Sequence, residues 1–282
     1  MATKTKKPEG DMSFLDHLEE LRWHLIRATL AIVIIGVLAF VFRDFIFNQI
    51  IFAPSYPDFI SYEYMCKLSQ IFGSSKGCDT EMNFIIQNRT MAGQFSAAIW
   101  TSIMAGFVVG FPYIIYEFWR FVAPGLHPKE RKNSRGFIFV SSFLFFLGVL
   151  FGYYVIAPLS INFLANFTIG DQVKNEFDIS SYIGMVRSSS LAAGLIFELP
   201  IIIYFFTKIG LVTPEFLRKY RKYALIIVLI ISAVITPPEI STQIVVSIPI
   251  LILYEVSIFI SAFVVKQEKR RLSKEKHVRS GK

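Results

Sequence analysis

The sequence has little charge and lacks the motifs that mark catalytic or metal sites. Charged residues make up 18% of its 282 positions, against about 25% in soluble domains, whereas 54% are hydrophobic. Its four histidines show no metal-ligand spacing, and the chain has neither a phosphate-binding glycine-rich loop nor a Gly-x-Ser-x-Gly elbow. We therefore expect no enzyme activity, no metal and no cofactor, which leaves transport, reception or scaffolding.

A cleavable secretory signal is also missing. Residues 1–12 are polar and basic, without a short apolar core and a small-residue cleavage site, and they predict a disordered basic N-terminus. Insertion into a membrane would then depend on the apolar segments of the chain itself.

The hydrophobic residues are gathered in six blocks, which predict six membrane-spanning helices. The blocks cover 25–42, 93–115, 137–157, 182–206, 224–236 and 244–265. A helix needs about 20 apolar residues to cross the bilayer core; four blocks meet that length and the first is marginal. Block 224–236 reaches only about 20 Å before Pro237 and Pro238 end it, so it is either re-entrant or spans a thinned bilayer. The predicted fold class is an all-α integral membrane protein.

Lysine and arginine are distributed unevenly between the two sides that six spans would create. With the N-terminus inside, the inner segments carry 22 of them and the outer segments 5. Because cytoplasmic loops are enriched in these residues, both termini are predicted to be cytoplasmic. The membrane domain then covers 13–265, and 266–282 form a basic cytoplasmic tail. This topology explains the net charge of +8, so we expect no nucleic-acid partner.

The first outer segment, 43–92, is long and contains both cysteines of the chain, Cys66 and Cys78. Loops of this length usually carry function or structure of their own. Since the outer side of the membrane is oxidising, a disulfide between them would stabilise the loop by roughly 3 kcal/mol in the chain-entropy model. The alternative is two free thiols, and thiol labelling with and without reductant distinguishes the two.

Two acidic residues on the inner side are candidates for binding a cationic partner. Glu20 lies on the polar face of a predicted amphipathic helix that begins near Ser13 and runs into the first span. That face could instead be merely solvated, with Glu20 paired to Arg22. Glu130 is the one carboxylate among four basic residues in the loop after the second span, where a local salt bridge is the simpler explanation.

Glu198 is the candidate inside the membrane. A carboxylate within a span is costly and marks a functional site by default, and Pro200 frees backbone carbonyls and can kink the helix. The alternatives are a protonated Glu198 bonded to a neighbouring helix, or one close enough to the surface to reach water. Glu117 and Glu255 raise the same question more weakly.

Several short motifs occur in a fixed order along these blocks. They are His17-Leu18-Glu19-Glu20-Leu21-Arg22, Phe121-Val122-Ala123-Pro124-Gly125-Leu126 followed by Glu130-Arg131, Phe197-Glu198-Leu199-Pro200, Leu217-Arg218-Lys219 and Thr236-Pro237-Pro238-Glu239. Together with the spacing of the spans, they resemble the TatC family, the C subunit of the twin-arginine protein translocase, over about residues 14–265.

The resemblance implies a concave bundle in the cytoplasmic (inner) membrane that acts as core receptor for folded cargo with a twin-arginine signal peptide. It implies TatA- or TatB-type single-span partners, a homo-oligomer within the complex, and export driven by the proton-motive force. By family position Glu20 and Glu130 bind the arginine pair, with Arg22 and Phe121 beside them. The predicted intramembrane, partner-binding set is Glu198, Phe197, Gln243 and Tyr153, and the predicted structural set is Pro54, Pro237, Pro238 and Glu239.

The chain departs from the family pattern in two places. Glu239 stands where the family often has aspartate, and the segment 43–92 with its cysteine pair is longer than in typical members. Two other functions remain open at this point. One is a proton-coupled small-solute transporter that uses Glu198, Glu255 and Glu117 as a relay, and the other is a purely structural membrane scaffold.

Overall fold

The computed structural model describes residues 14–71, 84–123, 134–170 and 175–280, and nearly all regular structure in them is helical. The α-helices are α1 (Phe14–Val41), α2 (Arg43–Phe45), α3 (Ile60–Ile71), α4 (Gly93–Val122), α5 (Ser134–Phe151), α6 (Ala157–Asn166), α7 (Ile179–Phe197), α8 (Leu199–Lys208), α9 (Pro214–Lys219), α10 (Arg221–Ile235) and α11 (Ile240–Ser280). Two π-helical turns (Ile46–Ile51 and Gly152–Ile156) and a 3-10 turn (Ala53–Ser55) add to them. Two short parallel strands complete the inventory, β1 (Ile85–Gln87) and β2 (Glu176–Asp178).

Five helical stretches of the described residues are long and apolar enough to cross a membrane. They are Leu18–Val41, Gly93–Val122, Gly136–Asn166, Ile179–Lys208 and Thr242–Arg270. These coincide with five of the six predicted blocks, which confirms the helical membrane-protein class. The remaining block forms α10, whose 15 residues would extend about 22 Å. It is shorter than a bilayer core requires.

The chain divides into two compact units, and the first consists of Met1–Phe42 and Ser102–Ser142. Within it, α1 packs against α4 at glycine positions. A Cβ on Gly106 would lie 2.4 Å from the backbone oxygen of Ile32 and 2.8 Å from the backbone nitrogen of Gly36. No residue other than glycine fits such a close backbone approach without movement. The two helices are therefore in direct backbone contact where they pack.

The second unit consists of Arg43–Thr101 and Phe143–Lys282. One buried cluster joins the turns after α2 to α6 and α7 through Ile51, Ala157 and Ile183. A second cluster includes Val228 and Val246, so it joins α10 to α11. A Cβ on Gly152 would lie 2.5 Å from the backbone oxygen of Ser189, so the π-helical turn after α5 packs closely on α7.

Hydrogen bonds fix the described parts of segment 43–92 within the second unit. The Tyr62 hydroxyl donates to the carbonyl oxygen of Pro54 at 2.7 Å, and the Tyr182 hydroxyl donates to that of Ile51 at 3.0 Å. Asp178 caps α7 by accepting a 2.8 Å bond from the Ser180 backbone N–H, and this bond lowers the pKa of the Asp178 carboxyl. These contacts show that the segment carries structure of its own.

Cys66 lies on α3 with a half-buried side chain. Cys78 lies outside the described residues, so the disulfide between them stays a prediction.

Candidate functional site

A buried carboxylate, Glu117, organises the polar end of α4 in the first unit. The residue is 2% exposed, and its Oε2 lies 2.5 Å from Nδ1 of His24 on α1. The Tyr113 hydroxyl, one turn earlier on α4, donates a second hydrogen bond. Arg27 and Arg120 bring guanidinium nitrogens to 3.9 Å and 4.0 Å of its two carboxylate oxygens. The surrounding positive charge and hydrogen bonds offset the cost of burying Glu117.

Glu20 lies one helical turn before His24 on α1. Its Oε1 is 3.9 Å from Nε2 of His24, too far for a hydrogen bond. Its Oε2 is buried and has no hydrogen-bond partner among the described residues. The side chain is 35% exposed as a whole, so an incoming group could reach it. The imidazole of His24 therefore lies between two carboxylates, with Glu117 engaged and Glu20 able to accept further hydrogen bonds.

Phe121 also lies near the same histidine. Its ring centroid is 6.3 Å from that of His24, in an edge-on arrangement, and its side chain is half-buried. Arg22 is exposed on α1. Of the residues predicted to bind an arginine pair, the structure brings Glu20 and Phe121 together at His24. Glu130 lies outside the described residues.

His24 was not predicted as a site residue, and Glu117 was predicted only as a weak candidate. Both had a visible signal, because His24, Arg27 and Glu117 lie within or beside apolar blocks at the ends that the topology assigns to the same membrane side. A basic residue and an acid placed at the same depth of adjacent spans are candidates to pair.

Glu198 lies in the second unit at the junction between α7 and α8, where it is 7% exposed. Its backbone N–H bonds to the carbonyl oxygen of Leu195 at 3.2 Å, and its own carbonyl accepts bonds from Ile201 and Ile202. Pro200 occupies the first turn of α8. Backbone N–H groups in a first turn make no intrahelical hydrogen bond, so the missing N–H of proline costs nothing there. The neighbouring Phe197 is buried, with its ring centroid 5.5 Å from that of Phe151. The predicted intramembrane acid therefore lies at a junction between two helices.

Gln243 and Tyr153 make hydrogen bonds within the chain. Gln243 Nε2 donates to the carbonyl oxygen of Leu229 at 2.9 Å and so links α11 to α10. The Tyr153 hydroxyl donates to the carbonyl oxygen of Ile50 at 2.7 Å. Contacts of either residue with a partner helix stay predictions.

The Thr-Pro-Pro-Glu segment forms the turn between α10 and α11. Thr236 ends α10 in an extended conformation, and its hydroxyl donates to the Ser232 carbonyl. Glu239 accepts a hydrogen bond from the hydroxyl of Thr242 in the first turn of α11. Pro237 is buried and Pro238 is exposed. Glu239 therefore stabilises the N-terminus of α11, where an acidic side chain interacts favourably with the helix dipole.

A family model and two relatives of this chain carry the same description. The family model for the Sec-independent protein translocase protein (TatC) matches residues 16–249. The TatC protein of Blattabacterium sp. subsp. Periplaneta americana (strain BPLAN) is 45% identical over 265 residues, which are 93% of this chain and 100% of the relative. TatCy of Bacillus subtilis (strain 168) is 31% identical, over 98% of this chain and 99% of the relative.

A solved structure agrees with these relatives. The crystal structure of the twin arginine translocase receptor TatC in DDM matches with a TM-score of 0.67 at 32% identity, covering 87% of this chain and 99% of that chain.

Proposed function

The chain belongs to the TatC family of Sec-independent protein translocase proteins, and on that premise we propose that it is the receptor subunit of a twin-arginine translocase. It binds signal peptides with two consecutive arginines and exports their folded cargo across the cytoplasmic membrane. TatA- or TatB-type single-span subunits and the proton-motive force complete the machinery. The observation that carries this proposal is the Glu20 carboxylate, whose side chain is 35% exposed and whose Oε2 lacks a hydrogen-bond partner among the described residues.

An arginine suits this carboxylate better than a lysine does. The guanidinium group is planar and offers several N–H donors in a fork that can engage both oxygens of a carboxylate. The half-buried Phe121 ring near His24 adds an aromatic face on which a guanidinium group can lie. Two arginines call for two carboxylates, and Glu130 is the second one in this proposal.

The topology belongs to the same proposal. We place α10 as a sixth, short span, with both termini in the cytoplasm, because 22 lysines and arginines then lie inside against 5 outside. Local thinning of the bilayer would accommodate its 15 residues. Protease digestion of the tail at 266–282 in inverted vesicles, but not in intact spheroplasts, is the expected outcome, and the reverse pattern would reject this topology.

Glu198 has a separate role in this proposal. A buried acid at the junction of α7 and α8 offers a polar contact inside the membrane to a single-span partner helix. Interhelical hydrogen bonds of this kind are a common means of association in bilayers.

The test compares peptide binding by the purified full-length chain. A signal peptide with two arginines should bind, and the same peptide with two lysines should bind much more weakly, because lysine keeps the charge but lacks the fork. Glu20→Gln should weaken binding of the arginine peptide by about 10- to 100-fold, the equivalent of one charge-assisted hydrogen-bonded pair.

The matched control is Glu19→Gln, which removes the same charge from the exposed neighbouring position on α1 and should leave binding unchanged. Equal binding of the two peptides would reject the receptor function. Equal effects of Glu19→Gln and Glu20→Gln would reject the role of Glu20 alone.

A further inference from the structure

A cavity of about 460 Å³ lies between α9 and the last part of α11. Four cationic side chains line it: Arg218 from α9, and Lys266, Lys269 and Arg270 from α11. Lys269 and Arg270 follow Lys266 by three and four residues, which places both beside it on one side of α11. The cavity therefore gathers positive charge from two separate elements.

These four cations have no ion-pair partner among the described residues, although acids are close by. Glu268 on α11 is paired with Lys208 at 3.5 Å. The one acid in the cavity lining is Glu215, in the first turn of α9. Its pKa is lowered, first by hydrogen bonds from its own backbone N–H and from the Thr213 hydroxyl, and then by the charges of Lys269 and Arg218. With Glu215 ionised, the lining keeps a net charge of +3, four cations against one acid.

The cavity is held in place by buried packing around α9. Leu217, next to Arg218, is 6% exposed and belongs to a cluster with Ile203 and Ile258. The carbonyl oxygen of Leu217 accepts a 2.8 Å hydrogen bond from the Tyr254 hydroxyl on α11. This packing holds α9 against α11, so Arg218 lines the same cavity as the three cationic residues of α11.

The surroundings of the cavity match a bilayer surface. The last membrane-spanning stretch, Thr242–Arg270, ends at this point, and the cavity is also lined by the apolar side chains of Pro214, Ala262 and Val265. A ligand with a charged head and an apolar body would satisfy both kinds of lining. Basic pockets beside membrane helices are suited to acidic lipid head groups.

We propose that this cavity, lined by Arg218, Lys266, Lys269 and Arg270, binds the phosphate group of an anionic phospholipid. The lipid phosphate neutralises cations that have no ion-pair partner within the described part of the chain, and the acyl chains lie against the apolar end of the lining. The site is independent of signal-peptide recognition, since none of its residues belongs to the Glu20 and Glu117 region in the first unit.

The experiment titrates the delipidated full-length chain with phosphatidylglycerol and with phosphatidylcholine of the same acyl chains, and counts bound lipid by native mass spectrometry. Wild type should bind phosphatidylglycerol more tightly than phosphatidylcholine. Arg218→Gln with Lys269→Gln should weaken phosphatidylglycerol binding by about 25-fold, at about fivefold for each cation removed.

The matched control is Lys219→Gln with Lys222→Gln, which removes the same charge from exposed positions outside the cavity lining. This control should bind phosphatidylglycerol as wild type does. Equal losses in the two double variants would show general surface attraction and overturn the site, as would equal binding of both lipids. Displacement of phosphatidylglycerol by millimolar inorganic phosphate would assign the cavity to a free anion and overturn the lipid proposal.

Discussion

Replacing His24 by leucine should destabilise the protein, because Glu117 would lose its closest partner while remaining buried. The Nδ1–Oε2 distance is 2.5 Å, and the two side chains are 8% and 3% exposed. Removing one partner of a buried pair costs about 3–5 kcal/mol when the other charge is left uncompensated. Arg27 and Arg120 remain within 4.0 Å of Glu117, each about half exposed, and they offset part of that cost. We expect a net loss of about 2 kcal/mol.

The measurement is thermal unfolding of the purified chain in detergent, followed by intrinsic fluorescence. A loss of about 2 kcal/mol corresponds to a decrease of about 4–8 °C in the midpoint for a protein of this size class. The double variant His24→Leu with Glu117→Gln should recover more than half of the loss, because no buried charge is then left without its partner. The two single variants and the double variant form a cycle that isolates the coupling between the residues.

Two results would refute this reasoning. If His24→Leu unfolds at the wild-type temperature, the short contact contributes nothing to stability. If the double variant is less stable than both single variants, the loss of stability comes from packing of the imidazole and not from the uncompensated charge of Glu117.

The remaining predictions concern helix packing and assembly. Gly106→Ala should lower the unfolding temperature, since the added Cβ would lie 2.4 Å from a backbone oxygen and overpacking costs about 1–3 kcal/mol. Gly184→Ala, on α7 with nothing within 4 Å, is its control and should be neutral or stabilising; equal losses would exclude the packing explanation. Glu198→Gln should reduce co-purification of a single-span partner subunit while twin-arginine peptide binding persists, and undiminished co-purification would reject that role.

The positions of the membrane helices were predictable because they depend on local composition. A run of apolar residues must be helical in a bilayer, where no water satisfies the backbone. The Glu198 junction was visible for a similar reason, since Pro200 two residues later cannot continue the hydrogen-bond ladder. The length of α10 was also visible, because Pro237 comes two residues after Ile235, the last residue of the helix.

The pairing of polar side chains was not predictable, because it depends on how distant segments pack. His24 and Glu117 are 93 residues apart, and no local pattern sets their distance. The glycine at 106 fixes how closely α1 and α4 approach, and that approach is a property of two helices together. In the same way, the hydrogen bonds of Gln243 and Tyr153 to backbone oxygens follow from packing between distant segments, while their contacts with a partner, expected from the family resemblance, stay predictions.

The arrangement of the acids also bears on the transporter alternative. A proton relay would need Glu255 available inside the last span, but its carboxylate forms a 2.7 Å ion pair with Arg221 and is 44% exposed. Glu117 is engaged by His24, Tyr113 and two arginines. Carboxylates held in this way fix helices to one another instead of passing protons along a path. Glu20 has a side chain that is 35% exposed and an Oε2 that lacks a hydrogen-bond partner among the described residues. It is by contrast suited to bind an arginine of a signal peptide on the inner side, which favours a receptor over a carrier.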